Sequence, residues 1–133
     1  MRLFPDDAWA VATIWQEARG ESMEGKIAVG RVIRNRMRMR YSSDGTVPGT
    51  VLKAYQFSGW NHNDPNRIPA ARLDDDDPVV RQCQEAWIRS ATEDAGVEDA
   101  VLYYAPKGVV QKPSWAHDEN FVTQVDHHIF FRG

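Results

Sequence analysis

Two stretches of helical hydrophobic spacing meet at one glycine, and that junction constrains the fold of this chain more than any other feature. Before it, Ala8, Val11, Ala12, Trp15 and Ala18 form one apolar stripe of a helix that Asp6 or Asp7 can cap. Gly20 supplies the stop. After it, Ser22 can cap a second helix with apolar positions at Ile27, Val29, Val32, Ile33 and Met37. Arg31, Arg34, Arg36, Arg38 and Arg40 gather toward the end of that helix. Positive charge suits a helix C-terminus, so the expected reading is a solvated basic face.

The same junction concentrates acid. The run QEARGESMEG, from Gln16 to Gly25, holds Glu17, Glu21 and Glu24. Glu17 falls in the last turn of the first helix, where the negative end of the helix dipole disfavours its charged form. Burial among Trp15 and other aromatics would disfavour that form further. A glutamic acid that stays protonated near neutral pH is what a glycosidase needs to protonate a leaving oxygen. Spacing alone points instead to an exposed surface glutamate. Glu21 lies beyond the helix stop, so helical spacing does not fix its distance from Glu17. It is read three ways: stabilising a cationic transition state, activating water, or pairing with Arg19. Glu24 reads as a first-turn acid of the second helix.

From Tyr41 to Pro69 the pattern breaks into turn signals, SSDG, VPG and GWNHNDPN, with short extended pieces or a helical turn at Thr50–Ala54. LDDDDPVVRQCQEAWIRSATED then reads as a third long helix, capped by the end of the acidic run and with Pro78 in its first turn. The four aspartates lack the alternating ligands and glycine of a calcium loop, so capping is the expected role. AVLYYAP reads as a strand and HHIFF as another. In a strand Tyr103 and Tyr104 must face opposite sides. The expected architecture is one helix-rich α+β domain over residues 1–133.

Composition narrows the function. Sixteen basic and nineteen acidic side chains leave a formal charge of −3, which gives no electrostatic case for binding nucleic acid or anionic membranes. Cys83 is the only cysteine, so no disulfide forms within the chain, and a buried small hydrophobe is its expected role. No apolar run approaches membrane-spanning length, and Pro5, Asp6 and Asp7 interrupt what would be a signal-peptide core. His62, His117, His127 and His128 fall in no compact zinc-ligand pattern. A Ser-His-Asp site lacks its nucleophile elbow. No metal and no cofactor are expected.

The run QEARGESMEGKIAVGRVIRNRM resembles the signature of the SleB-like cell-wall hydrolases, roughly GEARGE, then EGQ, an apolar stretch and NR. Glu17, Ala18, Arg19, Gly20, Glu21, Glu24, Gly25, Ala28, Val29, Asn35 and Arg36 match. Tyr55-Gln56-Phe57-Ser58 followed by Trp60 resembles the family's QFS segment, AVLYYAP its ALYFYNP, and Trp115 with HHIFFR its later Trp and NHxFY ending. Departures are Gln16 for a Gly, Ala105 for an Asn, and Asp126 and His127 where the family has Gly and Asn.

The resemblance implies a lysozyme-like, lytic-transglycosylase-like domain that cuts the β-1,4 bond between N-acetylmuramic acid and N-acetylglucosamine in peptidoglycan. It implies Glu17 as general acid and leaves Glu21 as the candidate second catalytic carboxylate. Gln56, Ser58, Trp60, Tyr104 and Trp115 are the expected sugar contacts: amides and hydroxyls for polar groups, flat rings for pyranose faces. The expected partner is the bacterial glycan strand, met by a monomer without membrane insertion. Lacking a recognisable signal peptide, the chain is expected to be made in the cytoplasm. It would then reach the wall through a holin pore or on a phage particle. The competing reading is a non-catalytic glycan-binding module or a structural part of a phage or secretion machine.

Overall fold

The computed structural model describes residues 5–53, 57–61, 64–65 and 73–133, the side chains of Pro5 and Ser58 excepted. Helix α1 spans Pro5–Ala18 with Asp6 and Asp7 in its first turn. Helix α2 spans Met23–Met39, and its cap is the expected one: the Ser22 hydroxyl accepts from the Gly25 N–H at 3.2 Å. A short helix α3, Val47–Val51, starts at Thr46, whose hydroxyl accepts from Gly49, with a proline in its first turn. The helical turn therefore lies three residues earlier than Thr50–Ala54. A 3-10 turn covers Ser58–Trp60.

Helix α4, Pro78–Arg89, is shorter than its hydrophobic pattern suggested. The acidic run does the capping: Asp77 accepts from the N–H groups of Val79 at 2.8 Å and Val80 at 3.3 Å. Asp76 pairs with Arg81 on the exposed side. Strands β1, Leu102–Tyr104, β2, Phe121–Val125, and β3, His128–Phe131, form an antiparallel sheet in the order β1-β3-β2. The strand at 121–125 was not legible as one, because its residues alternate only weakly and three of the five stay half-buried.

Among the described residues, four α-helices close one core around Ile14, Val29, Ile33, Val51, Phe57, Cys83 and Trp87. Cys83 is buried there as expected, and burial pushes its thiol up to about 11. A second cluster, with Ala28, Val32, Val97, Ala100 and Phe130, joins α2 to one face of the sheet. A third, with Leu102, Ala116 and Phe131, lies on the other face and takes in Tyr104 and Trp115. Among the described residues no helix is long and apolar enough to cross a membrane.

The arginine-rich end of α2 departs from the solvated face expected of it. Arg36 is only 3% exposed; its Nε donates to the Val101 carbonyl at 2.6 Å and its guanidinium lies over Phe57. Arg34 stacks on Trp87 at 3.7 Å and donates to the carbonyl of that residue. A planar guanidinium can be buried where it stacks on rings and its donors meet carbonyl groups, and helical periodicity alone could not reveal those acceptors. Arg38 and Arg40 are exposed.

Candidate active site

Glu17 sits one residue before the end of α1, and the segments around it converge from three parts of the chain. The first is the 3-10 turn. Gln16 donates from Nε2 to the Gly59 carbonyl at 3.0 Å, and Trp60 donates from Nε1 to the Thr13 hydroxyl at 2.8 Å. Trp60 also meets Trp9 edge-on, with centroids 5.1 Å apart. A Cβ on Gly59 would come within 2.5 Å of the Gln16 amide, so only glycine lets the turn lie this close to α1. Gln16, which replaces the glycine of the resembling family, is thus the strut under this turn.

The second is the lead into β1. Asn35 donates from Nδ2 to the carbonyls of Glu98 at 2.8 Å and Ala100 at 2.9 Å, and Arg36 holds Val101. These consecutive side chains of α2 fix the segment that delivers Tyr103. The Tyr103 hydroxyl then donates to Glu17 Oε1 at 2.8 Å.

The third is the β2–β3 turn, folded onto the corner between α1 and α2. Val125 pairs with His128, which leaves Asp126 and His127 as a two-residue loop. Asp126 takes the left-handed conformation, φ 51°, that glycine would adopt more cheaply. It accepts from the Ser22 N–H at 2.9 Å and the Ser22 hydroxyl at 2.5 Å. Those bonds hold the Asp126 carboxyl below the usual range. Glu21 faces the same turn: one oxygen meets His127 Nδ1 at 2.7 Å, and the other lies 3.3 Å from His128 Nδ1 and 3.3 Å from the His127 N–H. Its backbone carbonyl accepts from Lys26 Nζ.

The two carboxyl groups differ in their surroundings. Desolvation by burial raises the Glu17 pKa, and the Asp64 charge pushes the same way; the Tyr103 bond and the Arg36 charge act in opposition. The surrounding protein is dense although the residue keeps partial access to solvent. Burial, with the Glu17 charge and hydrogen bond, drives the Tyr103 phenol far above its ordinary value, so it stays a donor. With Tyr103 donating to Oε1, a proton on Glu17 belongs on Oε2. Glu21, by contrast, is engaged on both oxygens, with its side chain 8% exposed.

The structure thus gathers some expected site residues and separates others. Trp60 lies against α1 at Thr13 and Trp9, one and two turns before Glu17. Gln56 lies outside the described residues, as does the side chain of Ser58. Tyr104 and Trp115 pack against each other and Phe131 on the sheet face opposite Tyr103. Of the adjacent tyrosines, which face opposite sides, it is Tyr103 that reaches Glu17. The sequence signal was the strand alternation itself, since only one of the pair can look toward α1. Arg36, His127 and His128 were not legible as neighbours of the glutamates. A concavity of about 420 Å³ lined by Arg31, Arg34, Asn35, Met37, Arg38, Gly45 and Ala91 includes none of these groups. Among the described residues no His, Cys, Asp and Glu side chains gather as a metal site would.

Fold and site together define the class: a lysozyme-like, helix-rich α+β domain with a half-buried glutamic acid at a helix end. The family model for cell wall hydrolases matches residues 20–131, and the chain belongs to that family. The match opens three residues after Glu17, so the role of that residue rests on its geometry and on the motif it begins. Two solved structures are similar. The catalytic domain of the germination-specific lytic transglycosylase SleB from Bacillus anthracis has a TM-score of 0.73 at 20% identity, covering 98% of this chain and 97% of that one. The catalytic domain of the Bacillus cereus SleB protein has a TM-score of 0.70 at 22% identity, covering 98% and 93%. At such identities the likeness speaks to the fold. By sequence, no curated protein matches the chain.

Proposed function

We propose that this domain degrades peptidoglycan by cleaving the β-1,4 bond between N-acetylmuramic acid and N-acetylglucosamine, with Glu17 as general acid and lytic transglycosylation as the route. The observation that carries the reading is the Glu17 carboxyl: half-buried at the C-terminal end of α1, raised in pKa by desolvation, and held on one oxygen by Tyr103. Glu17 Oε2 would give its proton to the glycosidic oxygen as positive charge develops on the muramic ring. The same carboxylate, now a base steadied by Tyr103 and the Arg36 charge, would take the proton of the muramic 6-hydroxyl as that oxygen closes on C1. A 1,6-anhydro sugar forms, no water is consumed, and Glu17 ends protonated as it began.

Glu21 supports the one-carboxylate route. One of its oxygens is held by His127 Nδ1 and the other accepts from the His127 N–H, which leaves it poorly disposed to activate a water. Without a base for water, the tethered 6-hydroxyl has the advantage of proximity, an effect that can reach several kcal/mol. One of the two similar structures comes from a lytic transglycosylase, which agrees with this route. A zymogram on purified sacculi, wild type beside Glu17→Gln, tests the acid. Loss of clearing by a factor on the order of a thousand is expected, within the 10²–10⁴ typical of general acid catalysis. Clearing above a tenth of wild type would remove Glu17 from the chemistry, and no clearing by the wild type would favour a non-catalytic glycan-binding module.

A further inference from the structure

Tyr103 belongs to a strand of three residues at the edge of the sheet, and among the described residues it has a neighbouring strand on one side only. That neighbour is β3, where Tyr103 pairs with Phe130 and lies diagonal to His128 on the same face. Two rings fix its position. Phe130 tilts against it, with centroids 5.4 Å apart, and His128 meets it edge-on at 5.0 Å and 81°. His128 is itself pinned. Its Nδ1 lies 3.3 Å from Glu21, out of line for a full hydrogen bond, so the contact is between a polar ring edge and a carboxylate. Burial opposes charge on this imidazole, with His127 acting the same way, while Glu21 and Asp126 favour it.

We propose that His128 is a positioning residue whose ring holds the Tyr103 hydroxyl on the Glu17 carboxyl. The inference rests on the reading of Glu17 as the acid. A hydrogen bond of 2.8 Å weakens steeply with lateral displacement of its donor, and above the core packed against the Tyr103 ring, Phe130 and His128 are the rings that set its tilt. The contacts therefore run unbroken from Glu21 through His128 and Tyr103 to Glu17. This gives the crowded acidic corner two separate functions: Glu17 handles the proton and Glu21 anchors the frame. It also accounts for the histidine side of the β2–β3 turn, which the chemistry does not otherwise use.

The test follows the ionisation of Glu17 by carbon-13 NMR of labelled glutamate, alongside kcat and KM on sacculi. His128→Gln removes the ring but keeps a polar end for Glu21; His128→Phe keeps the ring. Tyr103→Phe should move the Glu17 titration to higher pH, because the lost bond favoured the carboxylate. His128→Gln should move it the same way and lower kcat several-fold with KM nearly unchanged. His128→Phe should restore both readouts toward wild type. Combined with Tyr103→Phe, His128→Gln should add nothing further. An unmoved Glu17 titration in a folded His128→Gln protein would overturn the proposal, as would shifts that add in the double variant. If His128→Gln does not fold, a His128→Phe titration displaced as far as that of Tyr103→Phe would overturn it, and a wild-type one would uphold it. The titration reads Glu17 without turnover, so it decides the role of His128 even if Glu17→Gln keeps activity and the glycosidase reading fails.

Discussion

Replacing Tyr103 by Phe removes one hydroxyl and little else, which makes it the sharpest perturbation of the acid. The ring keeps its place between Phe130 and His128, while Glu17 Oε1 loses the donor at 2.8 Å. A hydrogen bond to a charged group is worth about 1.5–3 kcal/mol. That stabilisation favours the carboxylate over the acid, so its loss multiplies the ratio of acid to carboxylate at fixed pH by roughly ten to a hundred. The assay is the pH dependence of kcat/KM on soluble glycan fragments, whose alkaline limb reports the acid of the free enzyme. In Tyr103→Phe that limb should extend to higher pH, holding half-maximal activity at a proton concentration roughly ten- to a hundredfold lower. An alkaline limb that stays in place would refute the reasoning, since it would mean that the Tyr103 bond does not act on the ionisation of the catalytic group.

Two stability predictions follow from the same geometry. The folded Glu17 pKa is raised, so between the unfolded and folded values the unfolded chain gives up the proton first and wild-type stability falls as pH rises. Glu17→Gln does not ionise, so it should melt above wild type at pH 7, and the gap should shrink as pH falls toward 4.5. A gap that is constant over that range would contradict the raised pKa. Gly25→Ala should destabilise the fold by roughly 1–2 kcal/mol despite better helix propensity, because overpacking typically costs more than the propensity returns. The added Cβ would lie 2.6 Å from an Asp126 oxygen pinned by Ser22 and 2.8 Å from Glu21 Cβ. Urea denaturation measures the difference, and unchanged or increased stability would show that the corner is looser than it looks.

Local signals in the sequence were strong where the structure is local. Ser22 and Asp77 cap as their positions require, Gly20 follows the last turn of α1, and Cys83 is core, because each of these depends on neighbours within a few residues. The position of Glu17 in a last helical turn was legible for the same reason. What surrounds it was not. The acceptors that bury Arg36, the partner of Glu21 and the choice between Tyr103 and Tyr104 are set by residues more than sixty positions away. Asp126 and His127, read from the sequence only as departures from the family pattern, form the clamp on the corner because β2 and β3 bring them there. Strand β2 escaped notice since half-burial blurs alternation, and without that hairpin the histidines have no visible destination.

The central claim is that Glu17 acts as acid and then as base for the muramic 6-hydroxyl, with Glu21 taking no part in activating water. Mass spectrometry of muropeptides released from purified sacculi tests it most directly, because the anhydro product is lighter than the hydrolysis product by one water. The account predicts 1,6-anhydro-muropeptides from the wild type and from Glu21→Gln, and none above background from Glu17→Gln. Reducing-end muramic acid as the sole product would contradict the transglycosylase route, and fragments cut between sugar and peptide would contradict the glycosidase reading altogether.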